Sequence, residues 1–310
     1  MSEISVVIPV YNEQEVISEL YKRLKTSLGP ITSDYEMIFI NDGSRDLTLS
    51  KLIYLAENDS KVRYISFSRN FGHQVAVSAG LDFAKGNSVV IIDGDLQDPP
   101  EVIPEMYRIH KQGYEVVYAR RTRRKGESFF KKTSAKIFYR LLKRITSVDI
   151  PIDVGDFRLI DRKIVGYLKQ MTEQNKFLRG QIAWLGFRQT YIEYERDSRK
   201  TGKTGYPLGK MIKFAVDGIT SFSNSPLRLV TNLGFFISIV AFLIILYALY
   251  SHFFLHHTIT GWTSLIISSM FIGGIQLLSI GIIGEYISRI NTNVQNRPLY
   301  IIDKTNIEKE

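Results

Sequence analysis

The chain has 310 residues, 45% of them hydrophobic, with 22 Gly and 9 Pro, which describes a packed protein with room for more than one domain. It contains no Cys, so disulfides, thiolate metal sites and a cysteine nucleophile are excluded. The formal net charge is +9, yet Arg120 to Arg144 alone holds eleven Lys/Arg against one acid, Glu127, so the basicity is a local device for an anion and not a whole-surface coat.

In chain order, the sequence opens directly into an apolar run, without the basic region and apolar core that would predict a cleavable signal peptide. Ile4–Val10, Tyr35–Asn41, Val62–Ser66 and Ser88–Ile92 read as strands, being short, apolar and rich in β-branched residues. Glu13–Leu28, Thr48–Asn58, Gly72–Lys85 and Glu101–Gln112 read as the helices between or after them. The alternation predicts an α/β fold with a doubly wound, mostly parallel sheet. Further strands are expected at Glu115–Ala119, Phe157–Ile160 and Thr190–Tyr194. There is no internal repeat or low-complexity tract.

Three strand ends carry polar residues: Pro9-Val10-Tyr11-Asn12-Glu13, Asn41-Asp42-Gly43-Ser44-Arg45-Asp46 and Asp93-Gly94-Asp95-Leu96-Gln97-Asp98-Pro99-Pro100-Glu101. The carboxyl edge of a parallel sheet is where such folds bind ligands, so the three converge on one crevice. Asp93 and Asp95 face the same side if strand geometry persists through Gly94. Two carboxylates that close repel each other unless a cation lies between them, and hard oxygen ligands suit Mg²⁺ or Mn²⁺ carrying a substrate's phosphates. The bland alternative is a polar turn closed by Pro-Pro. No Gly-x-Gly-x-x-Gly follows the first strand and no Walker A sequence is present, which argues against a dinucleotide or P-loop enzyme.

The basic segment could serve nucleic acid, a lipid phosphate or a membrane surface. Pro207 to Pro226 mixes apolar residues with Lys210, Lys213 and Asp217 at roughly helical spacing, as in a helix lying on a membrane or an ordinary amphipathic surface helix. Leu233–Leu255 and Trp262–Ile283 are uncharged and long enough to cross the ~30 Å hydrocarbon core. No Lys or Arg lies between them, whereas Lys210, Lys213, Arg228, Arg289, Arg297 and Lys304 flank the pair, so both termini are expected in the cytoplasm. Tyr250 and Trp262 suit the interfacial belt, and Gly273, Gly274, Gly281 and Gly284 form a stripe for packing on the first span or on another subunit. Four regions follow: a catalytic domain over 1–205, interfacial helices over 206–229, two spans over 230–290 and a cytoplasmic tail over 291–310.

The strand-end motifs, in this order, resemble the GT-A glycosyltransferases of family two. Arg69-Asn70-Phe71-Gly72-His73-Gln74, Gly155-Asp156-Phe157-Arg158-Leu159, Gly284-Glu285-Tyr286-Ile287-Ser288-Arg289-Ile290 and the two spans narrow the resemblance to polyprenyl-phosphate glycosyltransferases, of the bactoprenol glucosyltransferase and dolichol-phosphate mannosyltransferase kind. The resemblance implies that Pro9, Tyr11, Glu13 and Asp42 line the donor's base and ribose. It implies that Asp93, Asp95 and Gln97 hold Mg²⁺ or Mn²⁺ on its diphosphate, with Asp156 as the catalytic aspartate. Arg121 and Arg124 match the acceptor-phosphate arginines, with Lys131 and Ser134 as further candidates.

Relatives carry a Lys where this chain has Gly205, in Arg199-Lys200-Thr201-Gly202-Lys203-Thr204-Gly205-Tyr206. Arg199 and Lys203 are therefore the phosphate contacts expected in that loop. The implied reaction is inverting transfer of a sugar, glucose from UDP-glucose first and UDP-GlcNAc or GDP-mannose as alternatives, to undecaprenyl phosphate at the inner face of the cytoplasmic membrane. The implied partners are nucleotide sugar, lipid phosphate, membrane and a second copy of the chain, not nucleic acid. A processive synthase is disfavoured, because only two spans are visible and no Gln-x-x-Arg-Trp motif occurs.

Overall fold

The computed structural model describes residues 2–121, 154–194, 223, 225–254 and 261–307. The first strands form where expected: β1 (Ile4–Val10), β2 (Tyr35–Asn41), β3 (Val62–Phe67) and β4 (Ser88–Ile91). β1 and β2 are buried along their whole length, which is why they read as apolar runs and not as alternating ones. The helices between them are α1 (Ile17–Leu28), α2 (Thr48–Asn58) and α3 (His73–Phe83). α1 buries Ile17, Leu20, Leu24 and Leu28, a stripe at three- and four-residue spacing. Truncating Leu24 to Ala is expected to cost about 2–5 kcal/mol.

α1 begins later than the sequence suggests. The Glu13 and Gln14 N–H groups are taken by side chains of the next loop, Thr48 Oγ1 at 2.9 Å and Asp46 Oδ2 at 3.2 Å. After β4 a short 3₁₀ turn at Pro100–Val102 leads into α4 (Ile103–His110), then β5 (Val116–Arg121). β6 (Val154–Asp161), α5 (Arg162–Gln170), α6 (Leu178–Trp184) and β7 (Gln189–Tyr194) complete this part.

The eight-stranded sheet has the order β7-β5-β6-β4-β1-β2-β3-β8, where β8 is Ile302–Thr305. β3, β2, β1 and β4 are parallel, but β6 runs antiparallel between β4 and β5, and β8 antiparallel on β3, so the sheet is mixed. The reversal of β6 has a consequence. Arg158 lies opposite Ile91, so the start of β6, with Asp156, reaches the edge where β4 ends. An antiparallel strand thus delivers its beginning to the same crevice that the parallel strands reach with their ends.

α1, α2 and α4 cover one face of the sheet, and α3, α5 and α6 the other, each over its own apolar cluster. The C-terminal residues beyond the spans return to this body. Tyr300 stacks on Phe67 with ring centroids 5.1 Å apart, its hydroxyl donates to Asp82 Oδ2 at 3.0 Å, and Asn306 bonds the β3 backbone at Tyr64 and Val62.

α7 (Ser225–Phe254) and α8 (Trp262–Val294) are the two helices among the described residues long and apolar enough to cross a membrane. At 1.5 Å per residue each exceeds the ~30 Å hydrocarbon core. Their large apolar side chains are exposed, Phe235 by 71% and Leu277 by 73%, as suits helices associated with a membrane. Among the described residues, a Cβ on Gly273, Gly274, Gly281 or Gly284 would meet nothing within 4 Å. Residues 206–222, the side chain of Trp262 and the loop between the spans lie outside the described residues.

Candidate active site

The crevice is built from the ends of β1, β2 and β4 and the start of β6. Its first wall is a lattice between two loops. The Asn12 N–H donates to Ser44 Oγ at 2.9 Å, and the Arg45 N–H donates back to Asn12 Oδ1 at 2.9 Å. The Leu47 N–H donates to Gln14 Oε1, and Lys51 Nζ to the Gln14 carbonyl. Asn12 takes a positive φ of 56° here, which Asn tolerates better than most residues. Tyr11 is left 44% exposed at the crevice and Glu13 half-buried, the ring free to meet a planar ligand. Pro9 lies opposite Ile40, one pair before the β1–β2 ladder ends at Val10 and Asn41.

Asp42 is buried, and its two oxygens accept the N–H groups of Phe71 at 2.7 Å and Gly72 at 3.0 Å. Burial pushes its carboxyl pKa up, and these two bonds only partly offset that. The side chain thus fixes the β3–α3 loop beneath the crevice. Next to it Gly43 has a φ of +67°, and a Cβ there would come within 2.4 Å of the Arg69 carbonyl carbon, so only glycine fits.

The second wall is ionic. His73 opens α3 and places Nε2 2.8 Å from Asp93 Oδ1 and Nδ1 3.7 Å from Asp156 Oδ2. Burial alone would lower its pKa, but Asp93 and then Asp156 outweigh that and raise it to about 9. Asp156 Oδ1 accepts from Arg158 Nη2 at 2.9 Å and from Arg179 Nε at 3.0 Å, while Gln74 Nε2 reaches Oδ2 at 3.5 Å. Burial would raise the Asp156 carboxyl, but Arg179 and Arg158 hold it well below the usual carboxylate range. Arg158 is fully buried, its guanidinium 5.3 Å from the Tyr118 ring centroid, and among the described residues its Nη1 has no hydrogen-bond partner.

Between the walls lies the aspartate motif. Asp95 Oδ1 accepts the Gln97 N–H at 3.1 Å, a tight turn after β4. Gly94 is forced by space, since a Cβ would lie 2.6 Å from Val10 Cγ1. Gln97 is buried beside it. No cluster of three or more His, Asp or Glu ligands is present among the described residues; the motif itself offers oxygen donors in the Asp93 and Asp95 carboxylates and the Gln97 amide. Two carboxylates with positions left for phosphate oxygens are the usual provision for Mg²⁺ or Mn²⁺ beside a diphosphate.

Arg121 ends β5 at this edge. Its Nε donates to Tyr194 Oη at 3.2 Å, its Nη2 lies 3.7 Å from the fully buried Asp98, and the Tyr194 hydroxyl also bonds Asp98. A Cβ on Gly155 would come within 2.9 Å of Arg121 Nη2, so that glycine makes room for the guanidinium. Arg124, Lys131, Ser134, Arg199 and Lys203, and the neighbouring Asp153, lie outside the described residues.

The structure therefore brings Pro9, Tyr11, Glu13, Asp42, Asp93, Asp95, Gln97, Arg121 and Asp156 to one edge. It adds His73, Gln74, Asp98, Arg158, Arg179 and Tyr194, to which sequence reasoning gave no role. The motifs around His73 and Arg158 held a signal; Arg179, 23 residues from Asp156, held none.

Residues 5–168 match the family described as glycosyl transferase family 2, and residues 225–290 match the GtrB C-terminal hairpin. The chain belongs to glycosyl transferase family 2. It is a glycosyltransferase with the GT-A fold and a membrane-associated C-terminal part. It is 52% identical over 301 residues to an uncharacterized glycosyltransferase of Bacillus subtilis strain 168, covering 97% of this chain and 93% of that one. It is 41% identical over 303 residues to the SfII prophage-derived bactoprenol glucosyl transferase of Shigella flexneri, covering 98% of each. Among solved structures it aligns with glucosyl-3-phosphoglycerate synthase from Mycobacterium tuberculosis at TM-score 0.45 and 20% identity, covering 71% of this chain and 78% of that one.

Proposed function

We propose that this glycosyltransferase moves glucose from UDP-glucose to a polyprenyl phosphate, with inversion, at the cytoplasmic face of the membrane that α7 and α8 cross. The observation that carries the reading is likeness to a bactoprenol glucosyl transferase along both chains, catalytic part and helical hairpin together. UDP-GlcNAc and GDP-mannose are the alternative donors.

In this reading an acceptor phosphate oxygen bonds the anomeric carbon while the bond from that carbon to the donor's diphosphate breaks, and its electron pair leaves with the nucleotide. Tyr11, with Pro9 and Glu13, lines the base and ribose; Asp42 holds the loop beneath them through Phe71 and Gly72. Asp93, Asp95 and Gln97 hold Mg²⁺ or Mn²⁺, which supplies positive charge against the leaving diphosphate. Arg121, steadied by Asp98 and Tyr194, receives the acceptor phosphate through its planar fork. Arg124, Lys131, Ser134, Arg199 and Lys203 complete the anion contacts.

A phosphate nucleophile is already ionised near neutral pH, its second pKa being about 6. Asp156, held deprotonated by two arginines, is then an orienting and electrostatic group, and not a base waiting for a proton. The glycines of α8, clear of other described residues, suit contact with a second copy.

The test is transfer of labelled sugar to undecaprenyl phosphate by the purified full chain with Mn²⁺. A lipid-linked glucose product supports the reading; product only from UDP-GlcNAc or GDP-mannose replaces the donor, and no product from any of the three overturns it.

A further inference from the structure

On the α3, α5 and α6 side of the sheet a cleft of about 290 Å³ opens between Asp82, Lys169, Lys176 and Arg297. It is distinct from the crevice, because Asp82 sits roughly 13 Å along α3 from His73 at 1.5 Å per residue. Three cations meet there. Lys169 Nζ donates to the Asp82 carbonyl at 2.6 Å and Lys176 Nζ donates to the Met171 carbonyl. Among the described residues neither lysine nor Arg297 forms an ion pair. The one carboxylate in the lining, Asp82, already accepts the Tyr300 hydroxyl; Glu173, outside the lining, also acts on Lys176, so three cations face two acids.

Burial lowers the pKa of both lysines, which a bound anion would reverse. Leu168, Met171, Leu178 and Leu299 supply an apolar wall.

The position of the cleft indicates its occupant. Its rim, Asn296 to Leu299, immediately follows the last turn of α8. The Gln174 N–H donates to Asn293 Oδ1 at 3.1 Å and Gln174 Nε2 to the Arg297 carbonyl at 2.9 Å, so the α5–α6 loop is pinned to the end of the membrane helix. A cationic rim over an apolar wall at a helix end matches a phosphodiester joined to glycerol and the first methylenes of an acyl chain.

We infer that this cleft binds the headgroup of an anionic phospholipid, at a site separate from that of the acceptor lipid. Free phosphate shares the charge but would leave the apolar wall uncovered. The inference rests on α7 and α8 crossing a membrane and on nothing about the donor or the acceptor.

The test uses the full chain in uncharged detergent micelles, with thermal shifts recorded against dihexanoyl-phosphatidylglycerol, dihexanoyl-phosphatidylcholine and inorganic phosphate. The expected result is a saturable rise with the phosphatidylglycerol alone. In Lys176→Gln/Arg297→Gln its apparent affinity should weaken by roughly fivefold per charge, about twenty-five-fold in all. Equal shifts with phosphatidylcholine or with inorganic phosphate would overturn the lipid assignment, as would unchanged affinity in the double variant.

If the double variant melts early without ligand, Lys169→Gln, at an exposed position, carries the same comparison with a fivefold expectation. Sugar transfer to undecaprenyl phosphate is measured alongside in micelles without phosphatidylglycerol. Its loss in the wild-type chain bears on the proposed reaction, whereas retained phosphatidylglycerol affinity in the variants bears on this cleft.

Discussion

The two walls of the crevice are built by different physics. The wall made by the β1–α1 and β2–α2 loops is a lattice of backbone N–H groups on short side chains, with Ser44, Asp46 and Thr48 serving Asn12, Gln14 and Glu13. The opposite wall is a chain of charges, from Asp93 through His73 to Asp156 and its two arginines. The first wall fixes the shape that, in the proposed reaction, meets the nucleotide. The second fixes a field suited to phosphates in transit, and it holds its carboxylates ionised by pairing them with cations. Substitutions should therefore divide by their kinetic effect: those in the ionic wall strike turnover as well as stability, and those in the lattice strike stability and donor affinity with little change in kcat.

The largest effect is expected at the aspartates between the walls. Asp95→Ala and Asp93→Ala should each lower transfer by about a thousandfold or more, measured as initial rates with Mn²⁺ and saturating donor. Near-normal rates in either would remove the cation from that residue.

Next is Asp156→Asn, which leaves the fully buried Arg158 without its counter-charge. A loss of about 3–5 kcal/mol in unfolding free energy is expected, with turnover down by about a hundredfold or more. Unchanged stability would mean that Arg158 finds another partner.

The same pairing sets a pH expectation. The folded pKa of Asp156 lies below its unfolded value of about 3.9, so the stability it supplies is fully present above about pH 4. It is lost only as pH falls through the folded value. A pH–rate profile between 5 and 8 should accordingly contain no acid limb that disappears in Asp156→Asn, and such a limb would make Asp156 a titrating base.

In the lattice wall, Gly43→Ala should cost about 1–3 kcal/mol, because it adds both a positive-φ penalty and a contact with the Arg69 backbone. Thr48→Ala, which frees the Glu13 N–H, should cost about 1 kcal/mol and raise the donor KM with little change in kcat. A kcat effect larger than the KM effect would blur the division between the walls.

This division also explains what could be read from the sequence. The lattice wall lies within contiguous motifs, and β1, β2 and α2 have the bounds that their apolar patterns suggest. Apart from Arg158, two residues from Asp156, the ionic wall joins residues 20 to 83 positions apart, and no local pattern encodes such a meeting. Asp156 was legible through its motif; Arg179 and Tyr194 were not, since each acquires its role only once β6 inserts between β4 and β5.

The mixed sheet was hidden for a similar reason. A buried antiparallel strand such as β6 has the same apolar content as a parallel one. β8 was hidden because Ile302-Asp303-Lys304-Thr305 is short and polar, and it holds its place by edge pairing with β3 and the anchors at Tyr300 and Asn306.

The central claim is that the crevice transfers a sugar from a nucleotide to a lipid phosphate, and radiolabelled UDP-glucose with undecaprenyl phosphate tests it most directly. The account predicts a Mn²⁺- or Mg²⁺-dependent, organic-extractable glucose product that Asp95→Ala abolishes. A product formed equally well by Asp95→Ala, or no lipid-linked product from UDP-glucose, UDP-GlcNAc or GDP-mannose, would contradict it.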